Sequence, residues 1–335
     1  MIASLALLLF ALALVFVAAQ VFTNALEHLG ERLGVSEGVT GSIFAAVGTA
    51  MPETIVPIVA IVAGGASVEV NHAVGLGAIL GAPFMLGTLS LGLMGVFAAQ
   101  RFGWRLQLTP EPSGVWRDVR VFLAGYGLAA LAAFLPASWH GVRLLVASVL
   151  LVSYFLYLMA TIRASEALVA DGHGTESDEA LYAARWFGDA LPVTLAQLML
   201  GLFMLIIGAK LFVAGAESLS SLLGVAALLV SLLIVPVATE LPEKVNSILW
   251  IRRRKDTLAF GNITGAMVFQ GTVIPAIGML LLPWHVSDAH AVVSILLALG
   301  GTAWLGFMLR RGCLRPVGLM GNVLLYLVFV VYLVM

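Results

Sequence analysis

The chain has 335 residues, 61% hydrophobic and only 10% charged, with 17 Lys and Arg against 18 Asp and Glu. Soluble domains carry about 25% charged residues, so this composition, with a mean hydropathy of +1.07, describes a polytopic membrane protein. The net charge of -1 supplies no basic surface for nucleic acid, and a single cysteine, Cys313, excludes an intrachain disulfide and a cysteine-built metal site.

Apolar runs of about 20 residues, enough to cross a ~30 Å hydrocarbon core, predict ten spans. They lie near residues 1–22, 37–63, 73–99, 119–135, 141–162, 191–212, 224–250, 258–283, 289–309 and 316–335. The first lacks the basic n-region of a signal peptide and has a counterpart later in the chain, so it is expected to be retained as a helix. Between the fifth and sixth spans, Asp171-Gly172-His173-Gly174 with Glu176, Asp178 and Glu179 reads as a solvated connector rather than a regulatory cation site. The expected organisation is therefore a first five-helix repeat (1–162), a cytoplasmic connector (163–190) and a second five-helix repeat (191–335).

An offset of 190 lays Phe22, Glu27, Leu29, Leu33, Gly34 and Val35 on Phe212, Glu217, Leu219, Leu223, Gly224 and Val225. The same register continues through Thr49, Pro52 and Glu53 onto Thr239, Pro242 and Glu243. Five spans per half is an odd number, so the second half enters the membrane from the opposite side and the repeat is inverted. Arg32, Arg101, Arg105, Arg117, Arg120, Arg163, Arg185, Arg252, Arg253, Arg254, Lys255, Arg310, Arg311 and Arg315 fall in or beside the odd-to-even connectors. The positive-inside rule makes those connectors cytoplasmic and both termini external.

The repeated motif is Thr49-Ala50-Met51-Pro52-Glu53 and Thr239-Glu240-Leu241-Pro242-Glu243. An ionisable side chain at bilayer depth costs roughly 2.5–3.5 kcal/mol on insertion scales and marks a functional site by default. Each proline removes a helix hydrogen bond and displaces the carbonyl four residues earlier, at Gly48 or Ala238. Thr49 and Thr239 precede the glutamates by one helical turn, on the same face. Two carboxylates, two hydroxyls and freed carbonyls make an oxygen-only donor set suited to Ca²⁺ or Na⁺. A buried acid paired with a basic neighbour is the plainer reading, but no basic residue is near Glu53 in sequence. Glu240 has Lys244 four residues on, an ion-pair spacing on a continuous helix, so both an ion pair and a third cation ligand stay open there. Gly77, Gly81, Gly261 and Gly265 are expected to let neighbouring helices approach closely, with direct carbonyl coordination as the lesser reading.

At these residues the chain resembles the cation/calcium exchanger superfamily. Its signature is a twofold Gly-Thr-Ser-Leu-Pro-Glu followed by Gly-Asn-x-x-Gly-Ser-Asn, to which Gly48 to Glu53, Ala238 to Glu243, Gly77 to Gly81 and Gly261 to Gly265 correspond. The resemblance implies an all-α antiporter of ten transmembrane helices, arranged as two inverted five-helix repeats with broken helices at the ion site, working by alternating access. It makes Glu53 and Glu243 the central ligands, Thr49 and Thr239 their hydroxyl and carbonyl partners, and Ala46 and Pro236 donors of main-chain oxygens. The chain departs from the signature at Ala50 and Glu240, at Ala82 and Ala266, and at Leu86 and Gln270, which removes oxygens from the flanking monovalent positions. Glu240 and Gln270 join the candidate ligands on this ground, Glu240 also as a proton carrier if Lys244 does not neutralise it. The expected activity is exchange of Ca²⁺ or another divalent cation for Na⁺ or H⁺, with no cofactor and no obligate protein partner. The expected surroundings are inorganic cations and the lipid bilayer of a prokaryotic cytoplasmic membrane. A passive cation channel and a transport-inactive sensor are the alternatives; the sequence has no Gly-x-Gly-Asp or His-Glu-x-x-His of an intramembrane protease.

Overall fold

The computed structural model describes residues 2–32, 51–63, 67–136, 138–169 and 180–334, and among them the regular structure is entirely helical. Seven stretches are long and apolar enough to cross a membrane: Ser4–Leu26, Val68–Phe102, His140–Arg163, Leu191–Leu222, Asp256–Leu281, Ala289–Arg310 and Pro316–Leu333. Two shorter apolar helices, Glu53–Val62 and Ala227–Val237, accompany them. Of the expected span at 37–63 only the part from Met51 is described, and the expected span at 224–250 is two helices rather than one. The expected span at 119–135 falls in a helix, Pro112–Ala133, that is not among the seven.

In chain order the helices are α1 (Ile2–Arg32), α2 (Met51–Ala63), α3 (Val68–Met85), α4 (Leu91–Phe102), α5 (Pro112–Ala133), α6 (His140–Val169) and the short α7 (Ala184–Phe187). They are followed by α8 (Leu191–Leu223), α9 (Ala227–Thr239), α10 (Leu241–Arg252), α11 (Asp256–Leu281), α12 (Ala289–Arg310) and α13 (Pro316–Val334). A five-residue π-helical turn, Leu86–Ser90, joins α3 to α4. The chain forms two compact units, one of residues 1–75 and 155–227, the other of residues 76–154 and 228–335. Each unit draws on both halves of the sequence.

In the first unit α1 runs antiparallel to α8 along a seam with a seven-residue period. Gly201, Gly208 and Gly215 of α8 face Phe22, Val15 and Leu8 of α1. A Cβ at position 201 would stand 2.8 Å from the Phe22 backbone, so only glycine allows this approach. Ala11, Ala18 and Ala25 on one side and Ala209 and Ala216 on the other are buried along the same seam. Without a hydrophobic driving force between helices in lipid, small residues gain cohesion by bringing backbones into van der Waals range. One end is closed by a hydrogen bond between the Ser4 and Ser218 hydroxyls at 2.7 Å. At the other end the Gln197 amide donates to Asn24 Oδ1 at 2.8 Å and to the Val21 carbonyl at 3.1 Å. The same two side chains hold the chain entering α7, through the Asn24 amide to the Ala180 carbonyl and the Tyr182 and Ala183 N–H groups to Asn24 and Gln197. Arg32 pairs with Asp189 at this end. α8 stops at Gly224, whose φ of +64° is the left-handed cap that glycine adopts without strain.

In the second unit α5 and α11 interlock reciprocally: Gly125 meets Thr272, and Gly271 meets Phe122 and Tyr126. The π turn is held from two sides, because the Asn322 amide of α13 donates to the Gly87 carbonyl at 2.8 Å and to the Gly301 carbonyl at 3.0 Å. A Cβ at Gly301 would lie 2.2 Å from the Gly87 carbonyl oxygen, so α12 rests directly on the π turn. The connectors at one end of this unit are tied together. Leu108 N–H donates to the Leu314 carbonyl, Gln107 bonds to Gly312, Arg315 and Arg254, and Thr109 N–H donates to buried Asp256 at 2.8 Å. These are the connectors that carry Arg105, Arg252 to Lys255, and Arg311 and Arg315.

Candidate cation site

The first-repeat glutamate, Glu53, lies in the opening turn of α2 and is 5% exposed. Ala46 and Thr49, expected to share its site, lie outside the described residues, as does Gly48. α2 reads Met-Pro-Glu-Thr-Ile-Val-Pro-Ile-Val-Ala-Ile-Val-Ala, so the glutamate stands in an otherwise largely apolar helix.

The second repeat is described more fully. α9 ends at Thr239, Glu240 leaves helical geometry with φ −98° and ψ 4°, and α10 begins at Leu241 with Pro242 in its first turn. A first-turn proline gives up an N–H that would have no helical partner anyway, which is why the chain re-enters a helix there. The interruption therefore falls two residues before the proline. Glu243 is in the first turn of α10, and its side chain lies outside the described residues. Thr239 is buried, and its hydroxyl donates to the Val235 carbonyl at 3.2 Å, which leaves its oxygen lone pairs free to accept. The Pro236 carbonyl accepts from the Glu240 N–H at 3.2 Å and from Lys244 Nζ at 3.0 Å.

The question left open for Glu240 resolves in favour of a pair. Lys244 Nζ lies 3.0 Å from Glu240 Oε2, and both side chains are buried, Glu240 completely. The interruption of the helix does not separate them: Lys244 N–H still donates to the Glu240 carbonyl at 3.1 Å, so the i, i+4 spacing survives across Pro242. Gln270 of α11, buried, sets its side chain against the same carboxylate. Met85, at the end of α3, completes the surroundings with its sulfur 2.8 Å from Lys244 Nζ. The structure thus brings Pro236 and Glu240 of the expected ligands to one ammonium group, with Gln270 against the Glu240 carboxylate. The sequence signal for Lys244 was its spacing from Glu240; nothing in the sequence pointed to Met85.

The glycine motifs divide. A Cβ at Gly77 would stand 2.3 Å from the Leu228 carbonyl oxygen, and one at Gly81 would stand 2.1 Å from that of Leu232, so α3 lies against the backbone of α9 just before the break. The packing role expected of these two glycines holds. Gly261 does not share it, because among the described residues a Cβ there meets nothing within 4 Å. Its neighbour Asn262 instead donates to the Ser247 hydroxyl of α10 at 2.9 Å, and Thr264 donates to buried Asp118 of α5 at 2.6 Å. Polar bonds do on this side what glycine contact does on the other.

The family model described as Sodium/calcium exchanger protein matches residues 3–163 and 193–335, nearly the whole chain. The chain belongs to the sodium/calcium exchanger family. It is an integral membrane transporter and not an enzyme, and the resemblance to the cation/calcium exchanger superfamily holds. A putative antiporter CaxA of Alkalimonas amylolytica is 32% identical over 136 residues, which is 40% of this chain and 43% of that protein, so the match spans less than half the length of this relative. Two solved structures share the exchanger fold across the chain. The H⁺/Ca²⁺ exchanger CAX superposes with a TM-score of 0.71 at 16% identity, covering 99% of this chain and 82% of that one. The sodium-calcium exchanger NCX_Mj superposes with a TM-score of 0.58 at 19% identity, covering 98% of each.

Proposed function

We propose that this exchanger-family protein is a secondary active antiporter that moves Ca²⁺ or another divalent cation against Na⁺ or H⁺ by alternating access. The cation is held between Glu53 and Glu243, with Thr49 and Thr239 and the Ala46 carbonyl completing an oxygen cage. The observation that carries the reading is the helix break at Glu240, directly before Leu241-Pro242-Glu243. A broken helix at membrane depth is tolerated only where it is buried in protein or lines a cavity, and such breaks supply carbonyls and half-helix ends to coupling ions in inverted-repeat transporters. Thr239, with its hydroxyl proton directed at Val235 and its lone pairs free, is oriented as an acceptor toward a cation.

The same reading takes the chain as ten spans in two inverted repeats, 1–162 and 191–335, with both termini outside a prokaryotic cytoplasmic membrane. The interlocked basic connectors at one end of the second unit support a common cytoplasmic face for them. The test is uptake of radiolabelled Ca²⁺ into proteoliposomes under an imposed Na⁺ or pH gradient. The expected result is accumulation above the external concentration, lost in Glu53→Gln and Glu243→Gln. Absence of flux under both gradients would overturn the proposal, and flux that only dissipates a Ca²⁺ gradient would make the protein a channel.

A further inference from the structure

Around the break between α9 and α10 the protein assembles the donors of an alkali-cation site and then fills it from its own chain. Glu240 contributes a fully buried carboxylate and Pro236 a backbone carbonyl, the hard oxygen donors that suit a Na⁺-sized ion. What stands between them is the ammonium of Lys244, 3.0 Å from each. The third neighbour, Met85 Sδ at 2.8 Å, is a soft thioether with little affinity for a hard cation. A lysine ammonium, by contrast, is an N–H donor from which such a sulfur can accept weakly, as it does here. The two oxygens thus suit a small cation in general, and the sulfur suits an ammonium in particular.

Building on the antiporter reading above, we propose that the Lys244 ammonium is a tethered cation that permanently occupies a monovalent-ion position formed by Glu240 and the Pro236 carbonyl. This half of the protein then takes up no separate alkali ion. Glu240 and Lys244 travel through the transport cycle as a neutral pair, so Glu240 neither ligates the cargo nor carries a proton. A charge that would otherwise arrive from solution is fixed to the chain, and the exchange needs one coupling cation fewer than it would with a neutral residue at 244.

An ion pair with a purely structural role makes a different prediction from a tethered ligand. Removing either partner of a structural pair leaves a buried charge that no particular ion rescues. Removing a tethered cation leaves a vacant site that a free cation can enter. The experiment measures binding of radiolabelled Na⁺ to the purified full-length protein in detergent, with thermal unfolding in NaCl against choline chloride at equal ionic strength. Lys244→Ala is expected to bind one more Na⁺ per chain than the wild type and to gain a Na⁺-specific rise in Tm. Lys244→Gln, which fills more of the pocket, gives the same test if the alanine variant does not fold. Glu240→Gln, and Glu240→Gln combined with either lysine change, are expected to gain no Na⁺ binding. Equal Na⁺ binding in the wild type and both lysine variants overturns the inference, and so does extra binding that persists without Glu240. Ca²⁺-dependent stabilisation, read in the same samples, keeps the two readings apart. If Ca²⁺ stabilises the variants but no additional Na⁺ binds, the tethered cation is wrong and the antiporter stands; if Ca²⁺ stabilises none, the antiporter reading fails whatever the Na⁺ result.

Discussion

Alanine substituted at Gly81 and at Gly261, one glycine from each of the two glycine motifs, should have opposite effects. At Gly81 the new Cβ would lie 2.1 Å from the Leu232 carbonyl oxygen and 2.8 Å from its carbonyl carbon. Favourable carbon contacts begin near 3.5 Å, so α3 and α9 must part by more than about 1 Å, and the obstacle is backbone that cannot rotate away. Overpacking of this kind costs roughly 1–3 kcal/mol, offset by the ~1 kcal/mol by which alanine exceeds glycine in helix propensity. Gly81→Ala is therefore expected to lose up to about 2 kcal/mol. At Gly261 nothing among the described residues lies within 4 Å of the new methyl, so the propensity gain stands alone and the variant is expected to be up to about 1 kcal/mol more stable. Reversible unfolding in detergent, followed by tryptophan fluorescence, compares the two with the wild type. Equal stabilities for the two variants, or destabilisation at Gly261 larger than at Gly81, would refute the reasoning. Because Leu232 is one turn before Pro236, the antiporter proposed above should also lose initial Ca²⁺ uptake rate in Gly81→Ala but not in Gly261→Ala.

Asn322→Leu removes the donor shared by the Gly87 and Gly301 carbonyls in a buried site; leaving a buried polar group unsatisfied costs about 1–3 kcal/mol, and the loss should appear as a lower unfolding midpoint. At the end of α5, Glu111 caps the helix by accepting from the Ser113 and Gly114 N–H groups at 2.9 and 2.7 Å. Partial burial pushes its carboxyl up, but these bonds outweigh it and hold the group below its usual range. A depressed carboxylate contributes stability above its unfolded pKa of about 4.3, and that contribution is lost as pH falls through the lower folded value. Glu111→Ala should therefore cost about 1 kcal/mol at neutral pH, with the difference from wild type shrinking as the pH is taken below 4.3 in an unfolding series; a difference that grows on acidification would refute the cap.

Much of the architecture was legible because lipid imposes a simple rule on sequence: backbone polar groups must be satisfied within helices, so spans appear as long apolar runs. The runs at 141–162, 258–283, 289–309 and 316–335 correspond to helical spans in place and extent, and those at 1–22 and 191–212 begin helices that continue to Arg32 and Leu223. The run at 224–250 misled by its continuity, since hydropathy does not register a single non-helical residue at Glu240. The glycine seam of Gly201, Gly208 and Gly215 went unread in the sequence: a seven-residue spacing does not name its partner, and α1 became the partner only in three dimensions. At the site, the sequence singled out Thr239, Pro242 and Glu243 by their repetition, Glu240 by its departure from the motif and Lys244 by its turn of separation from Glu240. It could not choose between ion pair and ligand, because that depends on whether the helix phase survives Pro242.

The sequence by itself determined that this is a helical membrane protein with a duplicated acidic motif at bilayer depth, because the cost of burying a carboxylate leaves few reasons to do it twice. Tertiary structure alone decided that the glycine motifs of the two halves pack differently. α3 touches the α9 backbone through Gly77 and Gly81, while Gly261 stands clear and its neighbours bond through side chains. It also decided that Glu240 is neutralised by Lys244 against Met85, a residue 159 positions away in the chain. Contacts of that kind depend on which helix surfaces meet, and helix surfaces meet by shape and polarity that no local pattern of residues encodes.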